Sequence, residues 1–343
     1  MSLTHANPQA EPVAQAAGSP DGDLSVPDRG ALSAWLETPE LRCVDGQLLS
    51  WHNPSHPGYP YPEATALWLS WAAWRSEQRL PGPPKTAVRA TAGWLHRQLS
   101  RNGAIGRHGR RYAFDTGLAF HALVRAARAP GLIELQPQAL APLSAGLDVF
   151  LDADAPALPP SEGPGRWSDR WVGHHLRSAA LVLRAGRWLG CDATQARAQR
   201  ILDRVTPMAV DRDSYLHTLA YQAEGELLLT HMGLADHGAR VRAVCERMAQ
   251  LQRPDGLLPG WSQRPQSARC DTTAQALRLW VATDPERFAE PCIAALSALG
   301  HCQHTSGGLP YEPGGRDLNT WVSLFADQAL HWFAHGAQPA DLL

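Results

Sequence analysis

Lysine is almost missing from this chain: Lys85 is the single one, and arginine carries nearly all of the positive charge. With 31 basic against 33 acidic residues and a formal net charge of -2, no excess of one sign draws the protein to a polyanion. That excludes sequence-independent binding to nucleic acid or to an anionic membrane surface. No uninterrupted apolar run approaches the ~20 residues needed to cross a bilayer, so membrane insertion is not expected. The 6 cysteines, at Cys43, Cys191, Cys245, Cys270, Cys292 and Cys302, form no CxxC pair. Scattered over helical segments, they read as reduced and mostly buried thiols. No phosphate loop, dinucleotide fingerprint, nucleophile elbow or metalloprotease helix occurs. Residues 1–28 are rich in Ala, Pro, Gly and polar residues and lack both a basic start and an apolar stretch. They read as a disordered tail rather than a secretion signal, and a cytoplasmic protein is expected.

Alternation of strand type is also nearly absent, whereas helical periodicity is strong. It predicts helices over residues 29–38, 63–79, 85–100, 115–129, 137–151, 173–189, 192–207, 215–231, 234–252, 271–283, 285–303 and 319–335. Some of these, such as 115–129, are apolar around most of their circumference and suit an inner ring. Arg-rich partners such as 192–207 suit an outer ring facing water. The fold class expected is all-α: an (α/α)6 toroid of six hairpins, formed as a single domain by residues 29–343.

A repeated unit supports the ring. Long apolar helices open, after a Gly, Pro or aromatic loop, on polar clusters: Glu63 and Thr65, Asp115 and Thr116, His174 and His175, His217 and Thr218, Asp271 to Thr273, Asn319 and Thr320. Asp, Thr and Asn at such places can be plain helix caps. Caps do not explain the recurrence at a roughly constant spacing, which marks stacked helical hairpins. In a closed ring these openings converge on one mouth. There Glu63, Asp115 and Asp271 are candidate acids and bases, because carboxylates facing one another across a pocket can cleave a glycosidic bond. His217 is a further proton carrier, with Tyr221 one turn on along the same face and Arg269 nearby. That set would also suit proton abstraction beside a uronate carboxylate. The chain has 13 Trp. Those on helices (Trp68, Trp71, Trp74, Trp94, Trp188, Trp280 and Trp332) read as packing, whereas Trp51, Trp167, Trp171, Trp261 and Trp321 lie in or beside loops, where an indole face can stack on a sugar ring. Tyr59, Tyr61, Trp167, Tyr221, Trp261, Arg269, Tyr311, Asn319 and Trp321 are the expected substrate contacts. The stretch 153–170 is the expected rim loop.

Three turns run from a Gln to a Gly, at 98–103, 252–256 and 303–307. They resemble the repeats of the prenyltransferase and squalene-cyclase superfamily of α/α toroids. A closer likeness is to bacterial prenyltransferase-like proteins that accompany polysaccharide-biosynthesis genes. Its motifs are the aromatic-Pro-Glu-x-Thr at 61–65, Asp-Thr-Gly at 115–117, His217 with Thr218, and Leu-Pro-Gly at 258–260 before Thr273 and Gln275. The last is Gly-Gly-x-Pro at 307–310 before Asn319, Phe325 and Asp327. The DxDD motif with which triterpene cyclases protonate substrate is absent. A zinc set of Cys270, Asp271 and residues 301–304 is disfavoured, because the latter fall at the end of an outer helix, away from the mouth, so no metal or cofactor is expected. The resemblance implies a glycan-active hydrolase, lyase or epimerase with a saccharide or glycoconjugate substrate, in polysaccharide or glycoconjugate metabolism. The alternatives are a transferase or cyclase acting on an isoprenoid or peptide, and a non-catalytic module that holds a glycan or protein.

Overall fold

The computed structural model describes residues 25–56, 58–107, 109–158, 170–210 and 214–343. Among these lie twelve α-helices: α1 (Arg29–Glu37), α2 (Pro62–Glu77), α3 (Lys85–Asn102), α4 (Ala113–Arg128), α5 (Asp148–Asp152) and α6 (His175–Leu189). They continue with α7 (Asp192–Arg204), α8 (Leu216–His231), α9 (Gly238–Leu251), α10 (Cys270–Thr283), α11 (Ala289–Cys302) and α12 (Thr320–His335). The even-numbered members from α2 to α12 pack one against the next, and α12 returns to α2, so the inner ring closes. Outside it, α1 packs on α12, α3 on α2 and α4, α7 on α6, α9 on α8 and α10, and α11 on α10. The fold is the all-α toroid expected. Of the disordered tail read into residues 1–28, residues 1–24 lie outside the described residues.

The inner helices are buried over nearly their whole surface, with Trp68, Trp71, Trp74, Trp280 and Trp332 filling the space between rings. The sixth outer position departs from expectation. Residues 137–151, read as one helix, form a 3-10 stretch, Pro137–Leu147, followed by the short α5. Pro142 has no N–H to give an α-helical bond. Gly146 presses on the backbone so closely that a Cβ there would sit 1.5 Å from the Gly103 carbonyl oxygen.

Short strands precede several inner helices, too brief for alternation to show in sequence. They are β1 (Trp51–His52), β2 (Gly106–Arg107), β3 (Arg110–Tyr112), β4 (Ala157–Leu158), β5 (Leu258–Trp261), β6 (Arg264–Arg269) and β7 (Leu318–Asn319). β1 pairs with β7, β3 with β2 and β4, and β5 with β6, all antiparallel. The β1–β7 pair joins the first loop to the last and ties the seam of the ring.

A second seam contact is buried. Asp327 on α12 accepts from Ser33 at 2.9 Å and Trp71 Nε1 at 2.7 Å, and pairs with Arg29 at 3.0 Å and Arg75 at 3.2 Å. One carboxylate thus joins α1, α2 and α12. At the far end of the ring, opposite the mouth, residues 340–343 are clamped by buried arginines. Arg125 donates to the carbonyls of Asp341 and Leu342, Arg177 to Leu343, and Arg184 to Ala340 and Leu342. Among the described residues no helix is long and apolar enough to cross a membrane.

Candidate functional site

The repeated openings resolve into two layers with different work. One hydroxyl near the start of four of the six inner helices, α2, α4, α10 and α12, staples the helix to the loop before. Thr65 accepts from Leu48 N at 3.0 Å and donates to Tyr61 O at 2.8 Å, Thr116 accepts from Ile105 N at 2.9 Å and donates to Tyr112 O at 2.7 Å, and Thr273 accepts from Leu258 N at 2.9 Å and donates to Arg269 O at 2.7 Å. Ser323 accepts from Leu309 N at 3.1 Å in the same way. These threonines are structural. The Gln-to-Gly turns repeat as well: Gln252 donates to Gly256 O and Pro291 O, and Gln303 to Gly307 O and Asp28 O.

The second layer faces the mouth. The second residue of α2, α4, α8, α10 and α12 is Glu63, Phe114, His217, Asp271 and Trp321 respectively. Neither Asp115 nor Asp271 is a cap, since the cap positions of α4 and α10 are Tyr112 and Arg269 and neither makes a side-chain cap bond. Asn319 is one: it accepts from Val322 N at 3.1 Å. The plain-cap explanation therefore holds for Asn319 and fails for the two acids.

Glu63 is buried and held at both oxygens. Tyr61 donates to one at 2.6 Å and Tyr221, from across the ring, to the other at 2.6 Å. Asp115, also buried, has its carboxyl pushed well above the usual carboxylate range, by burial first and by the neighbouring Glu63 charge second, with Arg107 pulling the other way. A carboxyl shifted this way holds its proton to higher pH than a free one does, which suits a proton donor. The opposite side is built from α8 and α10. His217 Nδ1 lies 3.5 Å from Asp271, too far for a good hydrogen bond. Asp271 is gripped by Arg269 through bonds of 3.1 and 2.9 Å. Burial lowers the His217 imidazole below its ordinary value, opposed by Asp271 and Glu63. Its ring lies 4.5 Å from that of Tyr221. The carboxyl is thus shifted toward its protonated form and the imidazole toward its neutral one, the divergence that acid–base chemistry uses.

Above these groups lies a cavity of about 250 Å3 lined by aromatic rings (Trp51, Tyr59, Tyr61, Tyr311, Trp321) with Arg107, Asp317 and Asn319 as polar edges. Arg107 lies over the rings of Tyr59 and Tyr61, at 5.1 and 4.5 Å. Arg269 stacks on Tyr311 at 3.3 Å and donates to Tyr215 at 2.9 Å. Tyr215 in turn meets Tyr311 through their hydroxyls at 3.0 Å and stacks on Trp261 at 5.2 Å. Trp261 is 37% exposed, so its indole stands at the rim. Of the expected site residues, Glu63, Asp115, His217, Asp271, Tyr59, Tyr61, Tyr221, Trp261, Arg269, Tyr311, Asn319 and Trp321 gather at this mouth. Trp167, with most of the expected rim loop, lies outside the described residues. Trp171 is buried against His175 and lines no part of the cavity.

Sequence reasoning missed Arg107, Tyr215 and Asp317. A signal for Arg107 existed: Gly106 allows a hairpin so tight that a Cβ would sit 1.8 Å from Arg110 O, and a Gly-bounded Arg before an inner helix parallels Arg269. Residues 301–304 fall at the end of the outer helix α11, and His301 and Cys302 line a cavity apart from the aromatic one. Among the described residues no group of three His, Cys, Asp or Glu gathers as metal ligands would.

No protein-family model and no curated protein sequence matches this chain. Solved structures do. The unsaturated glucuronyl hydrolase of Bacillus sp. GL1, described as responsible for glycosaminoglycan degradation, superposes with a TM-score of 0.62 at 15% identity, over 89% of this chain and 95% of that one. An unsaturated glucuronyl hydrolase specific for heparin gives 0.58 at 11% identity, over 89% and 95%. A type II terpene cyclase from Scytonema, bound to geranylgeranyl dihydroxybenzoate, gives 0.57 at 17%, over 89% and 96%. At these identities the likeness is one of fold.

Proposed function

We propose that this protein is a glycan-active enzyme that cleaves a glycosidic linkage at the mouth of the toroid. Asp115 gives its proton to the departing oxygen. Glu63, pinned by Tyr61 and Tyr221, faces the positive charge that develops on the sugar ring. Neutral His217, with Asp271 and Arg269 beside it, takes the proton of a water whose oxygen bonds to the anomeric carbon from the other side. The observation that carries this reading is a buried Asp115 set beside a Glu63 held at both oxygens, at an aromatic cavity with polar edges. At about 250 Å3 the cavity lies just below the ~300–1,000 Å3 of ordinary ligand pockets, which suits one sugar ring stacked on an indole or phenol face. The saccharide substrates in the names of the hydrolase neighbours support the same class, and a place in polysaccharide or glycoconjugate metabolism follows from it.

One observation favours an isoprenoid instead. Near Asp115, Phe114 and Tyr221 lie 5.2 Å apart, with Phe325 6.2 Å beyond Tyr221, and such rings also stabilise carbocations. Thermal melting in the presence of acidic oligosaccharides, neutral oligosaccharides and prenyl diphosphates separates the readings, since a ligand of the native state raises the midpoint. A shift with a saccharide, followed by its turnover by wild type and loss of turnover in Asp115→Asn, is the expected result. A shift with prenyl diphosphates alone overturns the glycan reading. Saccharide binding without turnover by the wild type reduces the protein to a binding module.

A further inference from the structure

The far end of the ring is closed by the chain itself. After α12 a 3-10 turn over Pro339–Asp341 leads residues 340–343 into the ring from the end opposite the mouth. Leu342 and Leu343 are 2% and 1% exposed, so the segment fills the space between the inner helices. Donors on α4, α6 and α12 take its backbone carbonyls: Arg125 those of Asp341 and Leu342, Arg184 those of Ala340 and Leu342, Gln328 that of Asp341, and Arg177 that of Leu343. Gln78, the residue after α2, donates to the Asp341 carboxylate at 2.7 Å. Arg177 stands two turns before Arg184 on α6, so the segment climbs about 10 Å along that helix toward the mouth.

Arg177 stands between this segment and the candidate site. Besides donating to Leu343 O, it pairs with Glu224 at 2.8 Å and lies over the ring of Tyr221 at 4.5 Å. Glu224 also accepts from Arg278, which donates to Gln328 at 3.0 Å, and Gln328 returns to the Asp341 carbonyl. Tyr221 in turn donates to Glu63 at 2.6 Å. One line of contacts therefore runs from Leu343 through Arg177 and Tyr221 to Glu63. We propose that residues 339–343 are a plug that closes the ring behind the site, and that Arg177 is a positioning residue that holds Tyr221 so that its hydroxyl stays on Glu63. A guanidinium suits this work. Its rigid plane stacks on the phenol while its fork is anchored on Leu343 O and Glu224, three partners that the single ammonium of a lysine cannot span. The plug and the line of contacts stand apart from the chemistry, whereas the consequence for turnover rests on the reading of Glu63 as the group that faces the developing positive charge.

The test uses the full chain and double-mutant cycles in urea, in which Tyr221→Phe removes the hydroxyl and keeps the ring. Leu343→Ala loosens the plug without removing a charge, and Arg177→Lys keeps the charge without the planar fork. Each has already weakened the bond to Glu63 if plug and Arg177 act through that hydroxyl. Combined with Tyr221→Phe, either is expected to shift the midpoint by less than the sum of the single shifts. Leu343→Ala with Thr273→Val, which shares no partner with it, is expected to add. On a saccharide found by thermal melting, Leu343→Ala is expected to lower kcat about tenfold with KM nearly unchanged, and to lower it no further in the Tyr221→Phe background. Additive midpoints in both Tyr221 cycles overturn the proposal, and so does an unchanged kcat in folded Leu343→Ala. A wild type that turns over no saccharide overturns the glycan reading instead, and the urea cycles then decide the plug alone.

Discussion

Asp115 shows why the chemistry of one carboxyl has to be read from its surroundings. Its folded pKa lies above the unfolded one, so between the two values the native state binds the extra proton and stability falls as pH rises through that window. Asp115→Asn removes both the cost of burial and the repulsion from Glu63. The variant is expected to melt higher than wild type at pH 7, at roughly 2 °C per kcal/mol gained, with the difference closing toward pH 4 and turnover lost throughout. Calorimetry across that range checks it. Tyr221→Phe takes one short bond from a buried carboxylate and is expected to cost about 1.5–3 kcal/mol, read from urea midpoints, with at least a roughly tenfold fall in turnover for each 1.4 kcal/mol lost at the transition state. In the sequence, Glu63, Asp115, His217 and Asp271 were legible because each broke an apolar helix start. Tyr215 and Asp317 were not, since a single polar residue in a loop has no period to betray it, and Arg107 had only its flanking glycines to mark it.

At the scale of elements, the Thr staples explain why the repeat could be seen at all. In three hairpins a hydroxyl both accepts from a loop N–H and donates to a carbonyl, so Thr65, Thr116 and Thr273 recur whatever the site does. Thr273→Val strands the Leu258 N–H and is expected to cost about 1–3 kcal/mol, while Thr273→Ser keeps most of the stability. Urea unfolding of the pair distinguishes hydrogen bond from shape. Helices with caps, Gly ends and apolar faces were read to within four residues at either end. Gly103 and Gly190 end α3 and α6 in left-handed conformation, with φ of 68° and 60°. The 3-10 stretch was misread because apolar spacing is blind to the missing donor of Pro142, and the two- to six-residue strands lie below the length at which alternation registers.

For the whole molecule, histidines dominate the response to acid. Burial lowers His121, His174 and His217, and lowers His175 to about 4. Each binds its proton more readily unfolded, so stability is expected to fall as pH drops from about 6.5 toward 4, measured as a falling urea midpoint. A midpoint that stays flat over that interval would show these rings to be solvated. Closure is the other global property. Asp327→Ala leaves Arg75 uncompensated in the core and is expected to cost about 3–5 kcal/mol, by urea unfolding, far more than the loss of an exposed ion pair such as Arg89 with Glu134. Ring and hairpin count were legible from periodicity. The seam was not, because nothing local announces that residue 29 will meet residue 327.

That seam has a kinetic corollary. The hairpins are local and can form as synthesis proceeds, but α1 finds its partner only when α12 exists, nearly three hundred positions later. Until then the nascent chain carries two unmated apolar flanks, one at each end of an open horseshoe. Annealing them is the step with the greatest loop-closure cost, so the last helix to emerge decides when the protein becomes safe from its own surfaces.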